Sequence, residues 1–363
     1  MIERDILEGR FPKLPAWEAR EAKPTLRQLE DFARATHTPV GYFFLPQPPE
    51  EHVPIPDFRT VGSGRVYRPS PDLLDTIYLC QQRQEWYRDF ARVAAAKPLE
   101  FVGSATVSSD VVRTAAQIRD VLHFDLAERR ALPSWTDALR KFIELADAAG
   151  VMVMVSGVVG SNNHRKLDPD EFRGFTLADV LAPLVFINGS DSKAAQMFTL
   201  AHELAHVWLG QSGVSDERPS GVEGTEVERW CNEVAAELLV PLDILRSDYD
   251  PTADVATEMQ RLARWFKVST LVILRRMADA GGLTRAQLRE HYDAELQRLA
   301  KLAPASGGNF YLTLGARASK RFTRALVVST LEGRSSYTEA LRLLGFKKMS
   351  TFRELGESLG LVV

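Results

Sequence analysis

Cysteine is nearly absent from this chain: Cys80 and Cys231 are the only two in 363 residues. Two thiols in such a length cannot make a disulfide framework, which points to a reducing compartment. Long apolar runs are missing as well. None reaches the roughly 18 residues that a membrane-spanning helix needs. The start, Met1-Ile2-Glu3-Arg4-Asp5, is charged and lacks the apolar stretch of a secretory signal. These absences together lead to the expectation of a cytoplasmic protein with no membrane partner. Nor is there a large excess of either charge; a net −3 argues against a whole-molecule polyanion binder. Internal repeats and long low-complexity tracts do not occur. What the chain does have is a 45% hydrophobic share beside 26% charged residues, which excludes wholesale disorder. Its length suits two or three domains.

Two breaks divide it. Pro46-Gln47-Pro48-Pro49 through Pro54-Ile55-Pro56 places five prolines in eleven residues. Proline fixes φ and removes amide donors, so this stretch reads as an extended connector. Ala303-Pro304-Ala305-Ser306-Gly307-Gly308 marks a second linker. The expected organisation is a helical region over 1–45, a Pro-rich linker over 46–70, a main domain with leading helices over 71–302, and a basic helical unit over 309–363. Charge follows that division. Residues 1–60 carry 8 Lys/Arg against 10 Asp/Glu, whereas residues 301–363 carry 10 against 4.

Periodicity predicts helices after Pro24-Thr25, over 71–96, and over 135–149 with a stop at Gly150. Val151–Val155 and Leu184–Ile187 read as buried strands. Helices follow over 193–209 and 225–239, with two or three more over 253–300. The fold class is therefore α+β: a small sheet among helices.

The strongest signal is His202-Glu203-Leu204-Ala205-His206. Histidines four apart on a helix project from one face, so both imidazoles can reach one metal ion. Glu203 can then face a nucleophilic water and act as general base. A catalytic zinc site needs a third protein ligand and one open position. No histidine lies between Val207 and Gly213, so a carboxylate on a later helix must serve. Glu226, Glu228, Glu233 and Glu237 are the candidates. At about 100° per residue, Glu226, Arg229, Glu233 and Glu237 share a stripe that reads as a solvated face. Glu228 lies opposite, beside Cys231, Asn232, Ala235 and Leu239. A lone carboxylate on that uncharged side needs a cation. Glu228 is therefore the expected third ligand, with Asn232, one turn on, as hydrogen-bond partner to a ligand.

Phe198–His206, followed by Glu228-Arg229-Trp230-Cys231-Asn232-Glu233-Val234-Ala235-Ala236-Glu237-Leu238-Leu239-Val240-Pro241, resembles the ImmA/IrrE metallo-endopeptidases. In that family a zincin helix is paired with a later helix of the form E-x-x-A-N-x-F-A-A-x-L-L-M-P. Cys231 replaces the usual alanine and Val234 the usual phenylalanine; neither change removes a ligand. The resemblance spans residues 170–242 and implies a gluzincin-like core. It implies one Zn2+ per chain on His202, His206 and Glu228, with Glu203 as the catalytic base. The implied substrate is a helix-turn-helix repressor. Phe172–Leu177 and the strand Leu184–Asn188 precede the catalytic helix as in that family. An edge strand there could hold an extended peptide by main-chain hydrogen bonds.

Residues 12–60 resemble the second half of an XRE-type helix-turn-helix, and also the N-terminal extension of longer ImmA/IrrE proteins, which continues through Pro54–Arg59. Only ten residues precede Phe11, and the region is net acidic. Duplex DNA binding needs a basic face, so a packing or docking role is expected here instead. In the tail, Arg317, Lys320, Arg321 and Arg324 repeat at helical spacing, a stripe expected to be solvated or to meet an acidic partner protein or nucleic acid. Similar tails occur in relatives encoded beside PIN-type nuclease toxins. The competing reading is thus a binding protein, an antitoxin or a regulator, that cuts nothing.

Overall fold

The computed structural model describes residues 4–49, 51–58, 69–215, 225–301 and 317–361. Helices α1 (Arg4–Arg10), α2 (Leu14–Glu18) and α3 (Leu26–Thr36) precede a 3-10 turn at Val40–Phe44. After them come α4 (Pro71–Val93), α5 (Val111–Leu122), α6 (Leu126–Ala131) and α7 (Trp135–Ala149). Strands β1 (Met152–Ser156), β2 (Gly174–Leu177) and β3 (Leu184–Asn188) lead into α8 (Lys193–Leu209), β4 (Gly213–Ser215) and α9 (Glu226–Leu239). The described part ends with α10 (Leu242–Asp248), α11 (Val255–Phe266), α12 (Thr270–Asp279), α13 (Arg285–Ala300), α14 (Lys320–Leu331), α15 (Tyr337–Leu344) and α16 (Met349–Ser358). This is the mixed α+β architecture expected from the sequence. Among the described residues, no helix is long and apolar enough to cross a membrane.

Local chemistry sets the helix ends. Thr25 opens α3 with a capping box closed by Gln28, and Ser192 opens α8 by accepting the Ala195 amide. Helices α7 and α8 stop at Gly150 and Gly210, whose φ values of 112° and 67° suit a residue without Cβ.

The strands run in the order β1-β3-β2-β4 among the described residues, with β1 parallel to β3 and the other pairs antiparallel. Strands β2 and β3 are therefore interior. The sequence expectation of a peptide-holding edge at Phe172–Leu177 or Leu184–Asn188 is corrected: the outer strands among the described residues are β1 and β4, and the one beyond β2 is β4, at three residues too short to leave a pattern. Period-2 alternation sorts the faces. Val153, Val185 and Ile187 join α5, α7, α8, α9, α11 and α12 in one apolar cluster. Met152, Met154, Phe175, Leu184 and Phe186 join α4 and α14–α16 in another. The sheet is a middle layer between helices.

The C-terminal helices share that second cluster: Phe322, Leu326, Leu343 and Phe352 pack with Leu73 and Ile77 of α4. The basic unit is thus built onto the back of the sheet. The linker Ala303–Gly308 lies outside the described residues. Much of the basic stripe is paired within the chain, although Lys320 and Arg324 stay exposed. Lys320 reaches Glu144 at 2.7 Å, and Arg321 donates its amide to Asp147 Oδ2 at 2.9 Å and its Nε to the Tyr87 hydroxyl at 2.6 Å. Arg324 donates to the Leu359 carbonyl at 3.2 Å. The acidic partner of this stripe is largely α7 of the same chain. At the other end, Phe11, Leu14 and Ala35 form a small cluster with Leu7, Trp17 and Phe32.

One more correction concerns α9. Glu226, Arg229 and Glu233 are exposed as the stripe predicted, but Glu237 is only 6% exposed. The last turn of α9 runs beneath α12, whose Arg276 pairs with the Glu237 carboxylate and donates to the Val240 carbonyl at 3.0 Å. Arg119 donates to the Glu237 carbonyl at 2.9 Å, and buried Arg129 to that of Leu239. Three guanidinium groups thereby satisfy the carbonyls that a helix C-terminus leaves over, and they oppose the negative end of its dipole. Glu237→Ala should leave buried Arg276 with only the more exposed Asp279, 3.2 Å away, as its carboxylate and lower stability by about 3 kcal/mol. A urea unfolding midpoint unchanged from wild type would show that the pair does not brace α9.

Candidate metal centre

Helix α8 is the buried spine of the molecule, and its small and apolar residues Ala201, Leu204 and Ala205 let α7, α9 and the sheet close around it. His202, Glu203 and His206 are each 0% exposed. The four-residue spacing brings the Nε2 atoms of His202 and His206 to 3.1 Å. Helix α9 packs across α8. Its cap, Thr225, accepts the Glu228 amide at 3.2 Å and so sets Glu228 in the first turn, where the helix dipole favours a carboxylate. Glu228 Oε2 lies 3.3 Å from His202 Nε2, and Oε1 lies 3.1 Å from His206 Nε2.

The two Nε2 atoms, 3.1 Å apart, thus each face one oxygen of the Glu228 carboxylate, at 3.3 and 3.1 Å. Ligands about 2.0–2.1 Å from a tetrahedral zinc ion stand roughly 3.3 Å apart. The fit is supported by polar bookkeeping. Neither Glu228 oxygen accepts a well-directed hydrogen bond among the described residues, although the side chain is buried. Buried carboxylates do not stay so without a cation nearby. Burial pushes the Glu228 carboxyl up, but His202 and then His206 more than offset this and hold it at about 2. Burial pushes His206 below the ordinary imidazole range, with Glu228 opposing. An ionised carboxylate and a neutral imidazole are the protonation states that metal ligation requires. Among the described residues, His202, His206 and Glu228 make up the group of three placed to hold a metal ion.

The surroundings orient these groups. His202 Nδ1 lies 3.1 Å from Asn232 Oδ1, so Nδ1–H donates to the amide oxygen and Nε2 keeps its lone pair for the centre. Thr176 of β2 donates its hydroxyl to Glu203 Oε2 at 2.6 Å. Two residues earlier on the same face, a Cβ on Gly174 would stand 3.0 Å from Glu203 Oε1 and 2.9 Å from the Phe186 carbonyl oxygen. Only glycine leaves that space. Ser215 Oγ of β4 lies 3.3 Å from His206 Nε2. The Phe58 ring stacks on the His206 imidazole, with centroids 5.5 Å apart and planes 15° apart.

The structure thus brings together all five residues singled out from sequence: His202, Glu203, His206, Glu228 and Asn232. Glu226 and Glu233 face outward, and Glu237 belongs to the far end of α9. Sequence reasoning missed Gly174, Thr176, Ser215 and Phe58. Thr176 left a faint signal, a polar residue in an otherwise apolar strand; the others left none, since their contacts cross between distant segments. Both cysteines are buried, and burial pushes the Cys80 thiol up to about 12 with Arg83 opposing.

A mixed sheet covering a helix with two histidines one turn apart, and a carboxylate from the next long helix, defines a metallopeptidase-type domain. Residues 146–278 match the model of a peptidase family described as the IrrE N-terminal-like domain. The match runs from the end of α7 to α12 and contains every residue of the candidate centre except Phe58. Residues 318–358, spanning α14–α16, match a domain of unknown function, DUF8813. No curated protein matches the chain.

Proposed function

We propose that this chain is a zinc-dependent endopeptidase that cuts a protein substrate, with a helix-turn-helix repressor as the substrate class. The observation that carries the reading is the convergence of His202, His206 and Glu228, whose ligand atoms lie within 4.8 Å of one another, with Glu203 on the same helix as the histidines. His202, His206 and Glu228 would hold a zinc ion, which would supply Lewis acidity toward a peptide carbonyl and bring the pKa of water toward 7. Glu203 takes the proton of the attacking water and returns it to the leaving amine. Thr176 holds one Glu203 oxygen, which fixes the direction of the other. Asn232 holds the His202 ring in the tautomer that presents Nε2 inward.

The alternative is a non-proteolytic binder, either the antitoxin of a PIN-type toxin or a transcriptional regulator. The pairing of Lys320 and Arg321 with Glu144 and Asp147 of α7 weakens it, because those cations already have partners within the chain. The test is incubation of the full-length protein with the repressor or toxin encoded beside it, followed by intact-mass analysis. A single cut that disappears on chelation is expected. A partner that stays whole, yet binds tightly with and without chelator, would replace the peptidase by the binder.

A further inference from the structure

The Pro-rich connector does more than join two regions. The Val214 amide on the outer side of β4 donates to the Pro56 carbonyl at 2.9 Å, and Asp57 pairs with Val214 in parallel sense. Val53 and Ile55, just upstream, pack against the apolar cluster behind the sheet. Phe58 then lies flat on His206 and over Gly213, where a Cβ would stand 2.1 Å from the ring. A glycine at 213 is what makes room for that ring. With the segment in place, His202, Glu203 and His206 are 0% exposed. A polypeptide cannot be cut at groups it cannot touch.

We propose that residues 56–58 form an internal strap on the substrate-binding edge. It takes the β4 hydrogen-bonding edge that an extended peptide would use, and Phe58 fills a slot that receives a large apolar side chain of the substrate. The inference rests on the peptidase reading and adds to it a substrate class: an extended segment with an aromatic or large aliphatic residue beside the scissile bond, which must displace the strap. Exchange is built in by chemistry. Prolines 54 and 56 have no amide to donate, so the strap cannot make a full ladder with β4. A substrate strand without proline can make more main-chain hydrogen bonds at the same edge.

The probe is a zinc-binding peptide hydroxamate carrying a phenylalanine side chain, titrated calorimetrically into the full-length zinc-loaded protein. Binding reports the edge and the slot without needing turnover. Phe58→Ala should bind it at least tenfold more tightly than wild type. In the wild type, adding the probe should raise deuterium uptake in a peptic fragment covering residues 51–58, a readout that needs no variant. Equal or weaker affinity in Phe58→Ala, or unchanged uptake in the wild type, would overturn the strap and make Phe58 a fixed wall of the site. Failure of the wild type to take up zinc at all would instead sink the peptidase reading, so the two failures are distinguishable.

Discussion

Replacing Glu203 by glutamine should lower turnover by about 10²-fold or more, within the range that loss of a general base produces. Zinc should still bind at close to one ion per chain. The change is nearly isosteric and leaves the His202, His206 and Glu228 donor atoms where they are. Glutamine can still accept the Thr176 hydroxyl, now 2.6 Å from Glu203 Oε2, through its amide oxygen. What it cannot do is take up the proton of water. The measurement is the intact-mass cleavage assay, run with wild type and Glu203→Gln at equal zinc content. Equal rates would remove Glu203 from the chemistry; a variant that also loses zinc would mean that the glutamate braces the centre instead.

Glu228→Ala should weaken zinc binding by more than ~10²-fold, since removing a mere hydrogen-bond partner of a ligand already costs about 10–100-fold. The loss has two parts. One of three donors disappears, and with it the negative charge that stands between His202 and His206 at 3.3 and 3.1 Å. Glu233→Ala is the control, because that residue is exposed on the opposite side of α9 and should retain full zinc. Metal content by mass spectrometry after purification without chelator decides the matter. Should Glu233→Ala lose the ion while Glu228→Ala keeps it, the ligand must be reassigned. Glu228→Gln refines the test: it keeps an oxygen donor but not the charge, so intermediate retention is expected.

Within single helices the sequence was a good guide, and the reason is geometric. A repeat of 3.6 residues decides which side chains share a face before any tertiary contact forms. That is why His202 and His206 could be paired, and why Glu228 could be separated from Glu226 and Glu233 by angle alone. The same arithmetic failed at Glu237, since periodicity says which way a residue points and nothing about what will cover it. Helix α12 covers it, and Arg276 turns a surface acid into half of a buried ion pair. The basic stripe of α14 has the same lesson with the opposite sign: a repeat at three and four residues made it visible, and only the packing of α14 on α7 supplied Glu144 and Asp147 as its partners.

The sequence by itself determined the class of centre: two imidazoles one turn apart, a glutamate between them, and a carboxylate on the uncharged face of a later helix. Tertiary structure alone decided how that centre is enclosed. Thr176 reaches Glu203 from 27 positions away, and Asn232 meets His202 across 30. Phe58 stacks on His206 from the far side of the connector, over a glycine that no periodicity marks. Contacts of this kind form when a three-residue outer strand, a helix and a proline-bounded segment pack against one another. Their partners are chosen by shape and by free hydrogen-bonding edges, and neither property is written in local spacing.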